Sequence, residues 1–583
     1  MREAEIGAPR GNRAARWLTL ALVGLLLFAG CASRAEVSGQ VDAPAVQAPR
    51  TPKQISLGST REPTSGFVLF QGSGLLVLEY TWIFQAGLTA FDPQGNLIPR
   101  IAQKVPTIND GDWQVNPDGS MAITWRLRPD VKWHDGAPLT ADDFVFGVQA
   151  ARDPALPANR LDGLNLIADA TAIDPHTLVV HWSQPFFAAN QADPGYVSAL
   201  PRHLLGDVYA QPDKQGFINS SYWTTEYVGL GPYKLGTWVP GSYTDALAFD
   251  DYFLGRPKID RIVLRYYTAA TVLVTGLLSG DVDVVAPGSL KGGDLVELRN
   301  FWDARNGGTV LEMPNRVAWA QFQYRDPGLP WATDVRVRQA LLHLLDRQSL
   351  ADTFSPGAAP ADAYVAPDDA ALHLARTQGI STYPYDVTRA TQLLGEAGWR
   401  RGSDGTFQNA AGQRFGIEAR VPGISPQNIN LGVVVADQWK QGGLDTSTYT
   451  VPNNATNLSE QRAANKGIYV VPAAIQPDVL AGLITPQIQT AQNNWTGANL
   501  GGASFPDFDR LYAQYNSELD IARRQAAYAS VLKYAADNVL YLPLYYDATS
   551  TTTAFRQGIT GPTVVPPIQQ MTTWNIHEWD VNG

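Results

Sequence analysis

The chain has 583 residues and a formal net charge of −11, and 45% of it is apolar, enough for several cores and too much for a disordered polymer. Charged residues make up only 17%, below the usual ~25%, while 52 Gly and 40 Pro suit a turn-rich mixture of strands and helices rather than coiled coils. The acidic balance argues against a broad phosphate-binding surface, so no nucleic-acid partner is expected. One cysteine excludes an internal disulfide, a CxxC pair and a thiolate zinc cage. The seven His, at 134, 176, 181, 203, 343, 373 and 577, form no i,i+4 pair, and neither GxxxxGK[ST] nor GxSxG occurs. No metal and no cofactor are expected. Sixteen Trp and 23 Tyr remain as a resource: aromatic rings line sites for partly apolar ligands, although most must serve packing.

At the amino end Arg2, Arg10, Arg13 and Arg16 precede an apolar run at 17–29. A membrane span needs ~20 residues, so this shorter run reads as a signal-peptide core. It ends at Ala29-Gly30-Cys31, and small residues before the only cysteine resemble a bacterial lipobox, with Phe28 where that pattern prefers Leu. The resemblance implies cleavage after residue 30 and a lipid anchor on Cys31; the alternative is a plain secretory signal and an incidental thiol. Residues 31–53 read as a flexible tether with a reach of about 25 Å.

Further along, a strand is expected at 121–127, and Thr140 with Asp143 forms a capping box that opens a helix. Strands follow at 177–182 and 262–267, then a helix at 269–279 stopped by Gly280 and a buried strand at 282–285. After a strand at 308–313, Asp334 caps a helix at 335–345 whose Val337, Ala340, Leu341, Leu344 and Leu345 share one face. Asp386 caps another that ends at Gly398, and a long helix at 520–538 leads into a strand at 539–546. Helix and strand alternate, which is the α/β class, α+β in places.

Several segments then form an ordered set. They are WRLRPDVKWHDGAPLTADDFV at 125–145, VGLGPYKL at 228–235 followed by Trp238, LLSGDVDV at 277–284, and DVRVRQA at 334–340 with Asp346-Arg347. Tyr385-Asp386 through Trp399 and Pro506-Asp-Phe-Asp509 extend it. Together these resemble the motifs of extracellular solute-binding proteins of ABC importers, the oligopeptide/dipeptide/nickel-binding class (solute-binding protein family 5). The resemblance implies an α/β, two-lobed periplasmic-binding-protein (venus-flytrap) fold with an extra inserted subdomain. By analogy lobe I is 54–95 with 220–307 and 545–583, the insertion is 96–219, and lobe II is 308–544. It implies a monomer without catalytic activity, outside the cytoplasm in the periplasm or at the cell surface. There it would capture a peptide or peptide-like solute and deliver it to ABC permease subunits.

Most motif residues read as scaffold. His134-Asp135 could be a catalytic pair, but adjacent residues in a turn seldom act as base and orienter. Asp142 and Asp143 suit a helix start, and Gly229, Gly231 and Pro232 suit a turn near the cleft better than an anion cradle. Arg336 and Arg338 face different ways, one being available for an interlobe salt bridge if not simply solvated. Peptide binders of this class often carry an Asp for the peptide ammonium in a stretch that here reads VPAAIQPD, 471–478, leaving Asp478 as its sole carboxylate. Asp478, Trp495 and Asn499 from one lobe and Tyr80, Trp82, Tyr222, Trp223 and Tyr227 from the other are the candidate ligand contacts. Oligosaccharide binding on the same fold, a ligand sensor without an importer, and an envelope hydrolase are the alternatives; the last needs two carboxylates about 5–10 Å apart, for which no motif occurs.

Overall fold

The computed structural model describes residues 52–63, 75–156, 162–192, 197–290, 293–313, 316–423, 426–452, 458–464, 466–474, 477–493, 495, 497–547, 552–565 and 571–582. Residues 52–583 form one compact unit. Three large sheets organise it.

The first has seven strands, in the order Gly308–Leu311, Thr553–Arg556, Val284–Val285, Gln54–Ser59, Arg261–Tyr266, Tyr243–Ala248 and Tyr233–Val239. Gln54–Ser59 runs parallel to both of its neighbours, and Ile55 and Leu57 are buried between covering layers, as parallel strands require. Helix Ala270–Ser279 makes the crossover from Arg261–Tyr266 to Val284–Val285 and stops where Gly280 takes φ 89°, a left-handed turn that glycine adopts without strain.

The second sheet has five strands, in the order Asp445–Val451, Gly416–Pro422, Ile468–Ala474, Arg316–Phe322 and Tyr541–Asp547. After its arginine, Arg316–Phe322 is continuously buried because both faces are covered. Ala318, Ala320 and Phe322 join a core with Leu341 and Trp439, while Val317 and Trp319 join another with Tyr364 and Leu480. Helices Val335–His343, Val387–Glu396, Pro426–Gln441 and Ile521–Asp537 supply much of that cover. Asp334 caps the first through the backbone N–H of Arg336 at 2.9 Å. Arg338 is buried, not solvated, and donates to the carbonyls of Trp331 and Asn538 at 2.8 and 2.9 Å.

The third sheet is antiparallel, in the order Trp113–Val115, Met121–Arg126, Thr177–Trp182 and Ile167–Asp174, with helix Ala141–Arg152 packed on one face. Burial alternates along Met121–Arg126, as expected for a sheet covered on one side. The capping box forms: the Thr140 N–H donates to Asp143 at 2.9 Å.

The chain passes between the seven- and five-stranded sheets twice, after Gly308–Leu311 and again after Tyr541–Asp547. Both passages come later than the sequence boundaries of 308 and 545. Gly308–Leu311 pairs with Thr553–Arg556 in the first sheet, and Tyr541–Asp547 pairs along its length with Arg316–Phe322 in the second.

The carboxyl end returns to the beginning of the unit. Buried Glu79 accepts the backbone N–H groups of Thr572 and Thr573 at 2.8 and 2.9 Å and their hydroxyls at 3.1 and 2.7 Å. Burial pushes its pKa up to about 7 against the pull of those four donors. Lys53 pairs with Asp580 nearby in sequence to the end of the same segment.

Candidate functional site

The signature turn shows what the strongest motif does. His134 Nδ1 accepts the N–H of Gly229 at 3.1 Å, and Nε2 donates to the carbonyl of Gly231 at 3.0 Å. Those partners select the Nε2–H tautomer, and burial holds the ring neutral by lowering its pKa to about 4. Asp135 pairs instead with His203 at 2.7 Å, so His134 and Asp135 are not partners. Asp143 gathers Trp133 Nε1 at 3.3 Å and the backbone N–H of Arg202 at 3.0 Å. Gly231 in turn lies so close to residues 83–85 that a Cβ would stand 2.5 Å from Gln85 N. The WHDG and GLGPY motifs are two halves of one brace between the third sheet and the first.

Most of the expected ligand contacts are also framework. Tyr80 is fully buried and its hydroxyl donates to the Arg61 carbonyl at 3.0 Å. Tyr222, Trp223 and Tyr227 pack on one another with centroids 4.9 and 5.2 Å apart inside the core of the first sheet. Trp223 Nε1 donates to the Phe217 carbonyl at 2.6 Å and the Tyr222 hydroxyl to Val228 at 2.9 Å. Asn499 is buried as a staple, donating to the carbonyls of Ile484 and Ala503 at 2.8 Å each and accepting the Ala503 N–H at 3.0 Å. Composition counts rings; it does not show which ones secondary structure turns inward.

Trp495 differs, and Trp82, although buried, lies outside that core. Trp82 joins Ala90, Met313, Val565 and Trp574 in a small apolar cluster beside the first passage between sheets. Trp495 is half-buried in a loop, with φ 58° and its N–H on the Thr490 carbonyl at 2.8 Å, a conformation uncommon for a bulky residue. Asp478 is the second residue of the 3-10 turn Pro477–Leu483, its side chain lying outside the described residues, as does Cys31.

Arg316 escaped the sequence reading. It opens the strand Arg316–Phe322 just past the first passage, with Ala474 and Asp547 as its partners in register. Its Nε is buried without a hydrogen-bond partner, and among the described residues its guanidinium makes no ion pair. Burial pulls its pKa down, opposed by the charge of Asp547, while Arg61 at the end of strand Gln54–Ser59 acts on it with like charge. On the same strand, Trp319 Nε1 is another buried donor without an acceptor among the described residues. The available signal was a lone arginine heading an apolar run.

A separate contact joins the third sheet's region to the helices around the second. The Phe187 N–H donates to the Asn516 carbonyl at 3.1 Å, and its ring lies 5.0 Å from Tyr515 and under the Arg524 guanidinium at 4.6 Å. Among the described residues there is no cluster of three or more metal-binding side chains, and no helix long and apolar enough to cross a membrane.

Comparison with known proteins agrees with this architecture. The model for bacterial extracellular solute-binding proteins, family 5, matches residues 99–493. A candidate ABC transporter peptide-binding protein of Brucella ovis is 27% identical over 325 residues, so the match spans little more than half of either protein, 55% of this chain and 56% of the relative. The oligopeptide-binding protein AppA of Bacillus subtilis is 23% identical over 432 residues, 74% of this chain and 75% of AppA. The structure of AppA with a nonapeptide superposes with a TM-score of 0.72 at 20% identity, covering 92% of this chain and 100% of that one. NikZ of Campylobacter jejuni with Ni(L-His) superposes with a TM-score of 0.73 at 20% identity, over 91% of this chain and 100% of that one.

Proposed function

The chain belongs to the bacterial extracellular solute-binding proteins of family 5, with their two-lobed α/β fold, and from that premise we propose that it captures a peptide or peptide-like solute between its lobes and delivers it to an ABC importer. The observation that carries this reading is the double passage between the seven- and five-stranded sheets. Two adjacent connections make a hinge, and a ligand that prefers the closed form shifts a pre-existing open–closed equilibrium. The names of the Brucella and Bacillus relatives support peptide as the solute class.

In this reading lobe I is built on the seven-stranded sheet, lobe II on the five-stranded sheet, and the four-stranded sheet is the insertion. Trp495 offers a ring to the solute, Asp478 is the candidate partner for an ammonium group, and Phe187 seals the insertion against lobe II on closure. The protein acts as a monomer by binding alone, held outside the cytoplasm by a lipid on Cys31. Native mass spectrometry before and after gentle denaturation tests it, followed by melting curves with peptide and oligosaccharide pools. Co-purifying peptide, or a rise in Tm with peptides alone, is the expected result; a rise with oligosaccharides alone would overturn the peptide assignment.

A further inference from the structure

We infer that Arg316 receives a carboxylate of the captured solute, so that this protein anchors its ligand by an anionic end. The inference rests on the solute-binding reading and names the ligand chemistry of that site.

A guanidinium stays charged in proteins, and burying it without hydrogen bonds is costly, so interior arginines normally come with acceptors. The molecule shows the rule in its own neighbouring helices. Arg338 is buried and satisfied by the carbonyls of Trp331 and Asn538. Arg347 is buried and satisfied by those of Ala361, Pro543 and Tyr383. Arg316 has no such set: the residue is half-buried, its Nε is enclosed, and among the described residues nothing accepts from that Nε or bridges its guanidinium.

Its surroundings do not supply the missing anion. Asp547 is its register partner, yet no ion pair forms between them, and the other register partner is Ala474. Arg61, reaching from the seven-stranded sheet's side, adds a second positive charge. Trp319, three residues on and turned to the other face of the strand, carries an N–H donor that among the described residues also lacks an acceptor. The unsatisfied groups on this strand are all donors, and a planar fork of N–H groups matches a carboxylate better than any neutral acceptor. The position is also where a solute would meet both lobes at once, since Arg316 starts the second sheet and Arg61 follows the central strand of the first.

The test is calorimetric titration of the purified protein with a mixed tripeptide-to-pentapeptide pool, the same pool amidated at its carboxyl ends, and citrate as a non-peptide carboxylate. The acid pool should bind about tenfold tighter than the amidated pool, one charge-assisted bidentate contact being worth that much. Arg316→Gln should bring the acid pool down to the amidated one while leaving the amidated pool unchanged. Arg61→Gln, at an exposed residue whose replacement does not threaten folding, should weaken the acid pool by a few-fold only. Equal binding of both pools to the wild type overturns the inference and leaves the peptide reading intact. Binding of citrate but of neither pool, lost in Arg316→Gln, overturns the peptide reading and keeps the carboxylate anchor. No response to either pool or to citrate overturns the anchor outright.

Discussion

The turn around His134 and the strand end around Arg316 treat buried polar atoms in opposite ways. At His134 both ring nitrogens, the flanking backbone groups and the nearby Asp143 find partners inside the protein. At Arg316 and Trp319 donors are left over among the described residues. A fully satisfied network holds its parts in one arrangement, whereas leftover donors are free to select an incoming acceptor. The contrast separates what braces this molecule from what is available for binding.

Four measurements would break or sharpen it. The largest effect is expected from Gly231→Ala, whose Cβ would stand 2.5 Å from Gln85 N and 2.6 Å from Ile83 O and would also strike the Phe84 carbonyl. Backbone cannot yield as a side chain does, so a loss of about 4 kcal/mol or more is expected, read as loss of soluble protein or a collapsed Tm. His134→Ala comes next: it strands the Gly229 N–H and the Gly231 carbonyl and should cost about 2–4 kcal/mol in urea unfolding.

The third is a pH dependence. The unfolded His134 titrates near 6.5 and the folded one near 4, so the unfolded chain binds the extra proton and stability falls as pH drops through that window. The gap between wild type and His134→Ala should therefore narrow from pH 7 to pH 4, by at most about 3 kcal/mol. Glu79 slopes the other way: raised from 4.5 to about 7, it loses stability as pH rises between those values. A gap that is constant with pH would mean His134 is not held neutral. The smallest effect belongs to Arg316→Gln without ligand. Removing a half-buried charge whose Nε has no partner among the described residues should leave Tm unchanged or slightly raised, within about 0.5 kcal/mol; a large loss would place Arg316 among the braces.

What could be read from the sequence follows the same division. Capping residues announce themselves, so Asp334 and the Thr140–Asp143 box placed their helices to within a residue or two. The family motifs were legible because they are braces, with fixed glycines and a fixed histidine. Strands Gly416–Pro422 and Asp445–Val451 were missed: the second is mostly exposed at a sheet edge and carries Thr and Ser where apolar alternation would have marked it. Aromatic residues misled for a related reason. Tyr222, Trp223 and Tyr227 are adjacent in sequence and in space, but adjacency serves a core as well as a cleft. Arg316 was invisible because an unpaired donor is defined by what surrounds it, which no single-residue pattern records.

The strand Thr553–Arg556 lies inside the seven-stranded sheet, between Gly308–Leu311 and Val284–Val285. Every strand of the five-stranded sheet has left the ribosome by Asp547, whereas the seven-stranded sheet still lacks an interior member at that point. The half of the molecule that is synthesised first is therefore finished last, and a chain cut just after Asp547 would keep one sheet whole and leave a gap in the other.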